Sequence, residues 1–191
     1  MKIMSEWDED FQRFNILAET KIEGRNTINA NAKFTPKTKG LEASATLDKA
    51  HIGYLQPLLK DVFSDVNGYV SGSITAGGSI NDLTWESTDT KIENGSLRVE
   101  YTNVPYFVDG AFRFNDTGLY FDDIRGKDRF DGTANINGSI KWNNKFKDIF
   151  FDINIKCNEI EGVNLNDKQN EYFYGNVFGS GNVTFSGPTS D

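Results

Sequence analysis

Between Gly68 and Ile80 the chain alternates without a break. Gly68, Val70, Gly72, Ile74, Ala76, Gly78 and Ile80 hold one parity, and Tyr69, Ser71, Ser73, Thr75, Gly77 and Ser79 hold the other. Successive side chains of a strand point to opposite faces of a sheet, so this stretch specifies one apolar face and one wet face. The apolar face is thinned by glycine, which packs nothing and weakens a strand interior. The same texture returns in Gly132, Ala134, Ile136, Gly138, Ile140 and Trp142, and again in Val177, Gly179, Gly181, Val183 and Phe185. A chain written this way is expected to form a long sheet with one greasy, low-walled side.

The rest of the composition agrees. The 15 Phe, 7 Tyr and 3 Trp against only 4 Pro favour an all-β chain. A formal charge of −8 leaves no basic stripe to neutralise phosphates, which speaks against a nucleic-acid partner. The single cysteine excludes an internal disulfide. Cys157 continues the parity of Phe151, Ile153 and Ile155, so it reads as a small buried hydrophobe. No run approaches the roughly 20 apolar residues of a membrane span, and the opening residues are not a signal sequence. The closing stretch, Ser186 to Asp191, follows a strand pattern without a capping element, as expected of a piece of a longer chain.

Three alternating runs come first: Phe14 to Ile22, Ile28 to Phe34 and Leu41 to Leu47, with turns expected at Arg25-Asn26 and over residues 35–40. Ile52, Leu55, Leu58, Leu59, Val62 and Val66 then fall at helical spacing. Pro57 predicts a break, with a regular helix from about Pro57 to Ser64 packed on the greasy side. His51 is placed in the loop before it. Asn94-Gly95 is a hairpin signal, Asp116 to Gly118 a second turn and Asn143-Asn144 a third. Asn137-Gly138 is kept inside a strand because the parity passes straight through it. Residues 158–170 read as polar and irregular.

The expected fold class is therefore all-β, a curved and folded-over, antiparallel-rich sheet with an open groove and one short helix around residues 52–66. The expected divisions are N-terminal strands over 1–48, the amphipathic helix over 49–66 and the glycine-patterned sheet over 67–191, all in one domain. A closed sandwich would want more bulk than glycine supplies to reach native packing density.

Little in the sequence points to catalysis. His51 is the only histidine, without a companion base or ligand. Asp122, Asp123, Asp128 and Asp131 cluster near a turn but lack calcium-loop spacing. No phosphate-cradling loop precedes a helix. The Asn-x-Ser/Thr triplets at Asn94, Asn115, Asn137 and Asn182 are common in so asparagine-rich a chain. The expectation is no enzyme, no metal and no cofactor. The competing reading is a carbohydrate-binding or adhesin sandwich, with Trp85, Tyr101, Tyr106 and Tyr120 as an exposed aromatic platform.

Leu55-Gln-Pro-Leu-Leu59, then Val66 to Ile74 and Gly78 to Trp85, resembles the helix-then-glycine-strand unit of the TamB family, the DUF490 region of the translocation and assembly module. The likeness continues through Ile92 to Val99, Tyr106 to Gly110, Phe112 to Phe114, Gly132 to Gly138, Phe173 to Gly175 and Val183 to Gly187. It covers roughly residues 50–187. Asn81-Asp82 departs from it, since the family often has proline there. The resemblance implies a periplasmic location in the bacterial cell envelope, with an inner-membrane anchor outside this chain. It also implies a β-taco groove that conducts phospholipid acyl chains towards the outer membrane, and a partner among outer-membrane barrels of the Omp85 class. On that reading Val70, Ile74, Ala134, Ile136, Ile140, Phe151, Ile153, Ile155, Val183 and Phe185 face one shared interior and line the lipid groove.

Overall fold

A computed structural model describes residues 2–22, 25–60, 63–143 and 148–188. They form one antiparallel sheet of eleven strands lying side by side in sequence order. The strands are β1 (Lys2–Asp8), β2 (Arg13–Ile22), β3 (Arg25–Thr35), β4 (Gly40–His51), β5 (Phe63–Ser79) and β6 (Asp82–Val99), followed by β7 (Val104–Asn115), β8 (Gly118–Lys127), β9 (Thr133–Asn143), β10 (Asp148–Leu165) and β11 (Gly175–Pro188). Each strand pairs with the one before it, the topology that short links between alternating segments produce. At about 4.8 Å between neighbours, the ten steps from β1 to β11 run about 48 Å.

The curvature comes from a device repeated four times. On β4, β6, β8 and β10 two residues face a single residue of the following strand, making a β-bulge. In each bulge one residue takes the left-handed conformation: Lys49 at φ 53°, Asn94 at 51°, Asp123 at 71° and Glu159 at 50°. Its freed N–H is accepted by a short polar side chain of the next strand. Ser71 Oγ takes Lys49 N at 3.1 Å, Asp109 Oδ1 takes Asn94 N at 2.7 Å, Asn137 Oδ1 takes Asp123 N at 3.0 Å and Ser180 Oγ takes Glu159 N at 2.7 Å. A glycine follows each acceptor, opposite the residue just before the bulge: Gly72 to Leu47, Gly110 to Ile92, Gly138 to Phe121 and Gly181 to Cys157. Bulges bend a strand and increase its twist, so four of them on alternate strands curve the sheet. Removing one acceptor tests this. Asn137→Ala is expected to lower stability by about 1 kcal/mol, seen as a lower urea midpoint, because the Asp123 N–H is left to water.

Several boundaries differ from the sequence reading. The expected helix is one 3-10 turn, Ile52–Leu55, and one α turn, α1 (Gln56–Leu59). Val62 lies outside the described residues, and Phe63 to Val66 already belong to β5. Gln56 holds the turns to that strand, donating from Nε2 to Phe63 O at 3.0 Å and accepting Val66 N at Oε1 at 2.8 Å. The stripe of apolar residues thus satisfied a helical period while its second half paired as strand. Asn94-Gly95 makes no hairpin but sits inside the 18-residue β6. The tolerance of asparagine for positive φ serves a bulge there rather than a turn. Residues 158–165 are not irregular: β10 passes through its bulge and runs on to Leu165. Arg25 and Asn26 pair within β3, His51 ends β4, and β1 is a strand that the sequence reading did not expect. Asn144, half of an expected turn, lies outside the described residues.

Candidate functional site

The register shows which residues share the apolar face. Over β2 to β5 two rows cross the strands: Ile16, Ala32, Ala43 and Ala76, and beside them Ala18, Ala30, Ala45 and Ile74. A row of larger residues flanks each side, with Phe14, Phe34 and Leu41 on one and Ile28 and Leu47 on the other. Methyl groups on the floor and bulk on the flanks leave an open trough of about 220 Å³, lined by Ile16, Ala18, Ala30, Ala32, Ala43, Ala45, Ile74 and Ala76 together with Asn31 and Ser44. It runs along the sheet, across the strands. The alternation of β2 to β4 was legible in the sequence, but nothing there marked these alanines as the floor of a trough.

Towards the other end the same face carries bulkier rows. Ile124, Ile136, Ile155 and Val183 lie abreast, as do Phe112, Phe121, Gly138, Ile153 and Phe185, and Phe114, Leu119, Ile140, Phe151 and Gly187. All ten residues expected in the groove fall on this face. Val70 lies between Ala50 and Ile92, Ile74 between Ala45 and Ser87, and Ala134 between Gly126 and Cys157. They are not equally covered. Ala134 is buried, the middle of the set is half-buried, and Val183 and Phe185 are 44% and 52% exposed. Of the ten, only Ile74 lines the trough.

At one end of the sheet two non-neighbouring strands meet. β7 and β10 are separated by two strands, yet β10 runs past Asn158, its last residue paired with β9, and leans over the 128–132 turn onto the start of β7. Tyr106 donates its hydroxyl to Glu161 O at 2.6 Å, Asn103 donates Nδ2 to Asn164 O at 2.9 Å, and Asn164 N reaches Thr102 O at 2.9 Å. Two carboxylates lock this clasp. Asp128, 1% exposed, accepts the backbone N–H groups of Phe130 at 2.7 Å, Gly132 at 2.8 Å and Glu161 at 2.6 Å. Glu161, with no exposed surface, accepts from Arg129 Nη2 at 2.8 Å and Nε at 3.1 Å, and from Asn176 Nδ2 at 3.0 Å. Val104 and Leu165 are buried beside them.

The clasp has a pH window. Burial alone would raise the Asp128 carboxyl, but the three backbone donors outweigh it and hold the group below the ordinary carboxylate value. Burial, reinforced by the Glu161 and Asp128 charges, pushes the Tyr106 phenol up to about 12. A depressed acid contributes stability above its unfolded value that is lost as pH falls through the folded one. The raised phenol contributes below about 10 and is lost as pH rises towards its folded value. The urea midpoint is therefore expected to fall below about pH 4 and again above about pH 10, and Tyr106→Phe should flatten only the alkaline limb.

The other candidates do not converge. Asp122 pairs with Arg113 at 3.0 Å and Asp131 with Lys127 at 2.6 Å, while Asp128 is consumed by the clasp. Among the described residues no group of three or more His, Cys, Asp or Glu could hold a metal. His51 Nδ1 accepts Gly53 N at 3.1 Å and its Nε2 lies 3.0 Å from Asn67 Oδ1, which makes it a cap for the helical turn. Cys157 is half-buried, and burial pushes its thiol up. Trp85 lies beside Ala76 on the inner face, Tyr106 is in the clasp, Tyr120 stacks under Arg113 on the outer face and Tyr101 packs on Phe173. Those four aromatics form no common platform. Among the described residues no helix is long and apolar enough to cross a membrane.

Residues 122–191 match the family model of the TamB C-terminal domain. The match spans β9, β10, β11 and most of β8, the part of the sheet that carries eight of the ten expected groove residues. No curated protein and no solved structure matches this chain.

Proposed function

We propose, from the match of residues 122–191 to the TamB C-terminal domain, that this chain is a TamB-type protein of the bacterial envelope whose apolar face conducts phospholipid acyl chains between the inner and outer membranes. The observation that carries the reading is the alanine-floored trough opening onto solvent, continuous with an apolar face about 48 Å long. A soluble protein gains by covering such a surface, and contiguous apolar patches of this kind mark interaction sites. Hydrocarbon fits the chemistry, because the floor and flanks offer methyl and aromatic groups with few polar ones. Each methylene moved from water into such a groove is worth about 0.8 kcal/mol, so a tail is held by many small and equal steps. Equal steps along the sheet allow a chain to slide, as a conduit requires. The clasp joins two strands at one end of the sheet, and the headgroup travels along the open side. The protein acts from the periplasm, in a longer molecule anchored in the inner membrane and meeting a barrel of the Omp85 class at the outer one.

The test is photo-crosslinking to a phospholipid carrying a diazirine in its acyl chain. Ala43→Phe fills the trough from its floor without displacing anything, since the space above is open. It is expected to cut labelling of β2 to β5 about tenfold while leaving the urea midpoint unchanged. Undiminished labelling in the folded variant would remove the trough from the path.

A further inference from the structure

We propose that Asn67 is a self-modification site: the backbone nitrogen of Gly68 displaces ammonia from the Asn67 side chain, and the resulting succinimide opens with water to aspartate or isoaspartate. Three observations converge on this residue. β4 stops pairing with β5 at His51 and Tyr69, so Gly68 is the first residue of β5 beyond that ladder. Its N–H turns to the Asn67 side chain, donating to Oδ1 at 2.6 Å. Cγ is bonded to that oxygen, so the nitrogen stands beside the carbon it would attack, and glycine has no Cβ to hinder the approach. The third observation is His51. Its Nδ1 accepts Gly53 N at 3.1 Å, which leaves the ring proton on Nε2. Nε2 lies 3.0 Å from the same Asn67 Oδ1 and therefore donates to it. A donor held against a carbonyl oxygen draws charge from its carbon and steadies the negative oxygen that forms on attack. Asn67 is exposed, so water reaches the product.

The step needs no reagent but water. Gly68 N gives up its proton and bonds to Asn67 Cγ. The negative oxygen, held by His51, reforms the carbonyl as the Cγ–Nδ2 bond breaks, and Nδ2 leaves as ammonia with the proton that Gly68 N released. Water opening the ring at Cγ gives aspartate. Opening at the backbone carbonyl gives isoaspartate, which routes β5 through Cγ and lengthens it by one carbon. Either product adds a negative charge beside the helical turns. The same dipeptide occurs twice more, and neither copy is arranged this way. Asn137 turns its Oδ1 to Asp123 N in the neighbouring strand, and Gly138 is paired on both sides, with Phe121 and Ile153. Gly95 is paired with Val108, and Gly68 closes on it from the other side. His51 is the chain's only histidine, and its Nε2 is spent on Asn67. The chemistry does not depend on what fills the trough.

The folded protein is to be held for weeks in neutral buffer and conversion read by mass spectrometry of tryptic peptides, which separate the three asparagines. Asn67 is expected to convert about fivefold faster than Asn94 or Asn137, whereas all three convert at like rates in the chain unfolded by urea. His51→Phe is expected to slow Asn67 about fivefold and to leave the other two unchanged. A merely structural His51 predicts the opposite, because loosening this corner frees the backbone to cyclise. The inference is overturned if Asn94 or Asn137 converts as fast as Asn67 in the folded protein, or if the same ranking persists in urea. It is equally overturned if folded His51→Phe converts Asn67 at the parent rate or faster. Where His51→Phe does not fold, the comparison of the three sites in folded and unfolded parent decides.

Discussion

Ile136→Asp is expected to abolish labelling of the chain by an acyl-photoreactive phospholipid, whereas Asn135→Asp, one residue away, leaves it unchanged. Ile136 is half-buried between Ile124 and Ile155, with Val183 next in the row. Asn135 lies on the outer face between Arg125 and Lys156. In the free protein the new carboxylate can turn to water over an open face, so folding loses little beyond the isoleucine's own burial, about 1–2 kcal/mol. Once hydrocarbon covers the row, that carboxylate must be stripped of water, at several kcal/mol. This offsets the gain from about five methylenes at ~0.8 kcal/mol each, enough to shift a tail off the face. Labelling that persists in folded Ile136→Asp, or that falls equally in Asn135→Asp, would sink the assignment of this face to lipid.

The alternation that identified this face was legible because period two is a direct consequence of the pleat. It placed all ten expected residues on one side, even across strands that no local rule connects. What the sequence concealed was the other use of the same residue types. Asn94-Gly95 and Asn137-Gly138 are the same dipeptide, and both lie within strands at a bulge: Asn94 as the left-handed residue, Asn137 as the acceptor for one. Ser71-Gly72, Asp109-Gly110, Asn137-Gly138 and Ser180-Gly181 form a short polar-glycine signature of the bulges, but their separations are unequal, so a search for a fixed period passes over them. The clasp was invisible for a different reason. Asp128 and Glu161 look like ordinary surface acids, and only the overrun of β10 past β9 buries them.

That overrun makes Arg129→Ala the substitution with the largest expected effect on stability. Arg129 holds both oxygens of Glu161, and Glu161 has no exposed surface. Removing the guanidinium leaves a buried carboxylate with only Asn176 Nδ2 facing it. Breaking a buried pair typically costs 3–5 kcal/mol; because the Arg129 side chain is itself 41% exposed, about 3 kcal/mol is expected here. The loss should be local before it is global, since few contacts tie β10 to β7 apart from the clasp. Hydrogen exchange is then expected to accelerate at residues 102–106 and 159–165 while β2 to β4 stay as protected as in the parent. Adding Glu161→Gln to Arg129→Ala removes the unpaired charge and should recover part of the stability, which separates electrostatics from lost packing. If Arg129→Ala unfolds within 0.5 kcal/mol of the parent, a typical surface value, or if the double variant is no better than the single one, the pair is not what fastens the two strands.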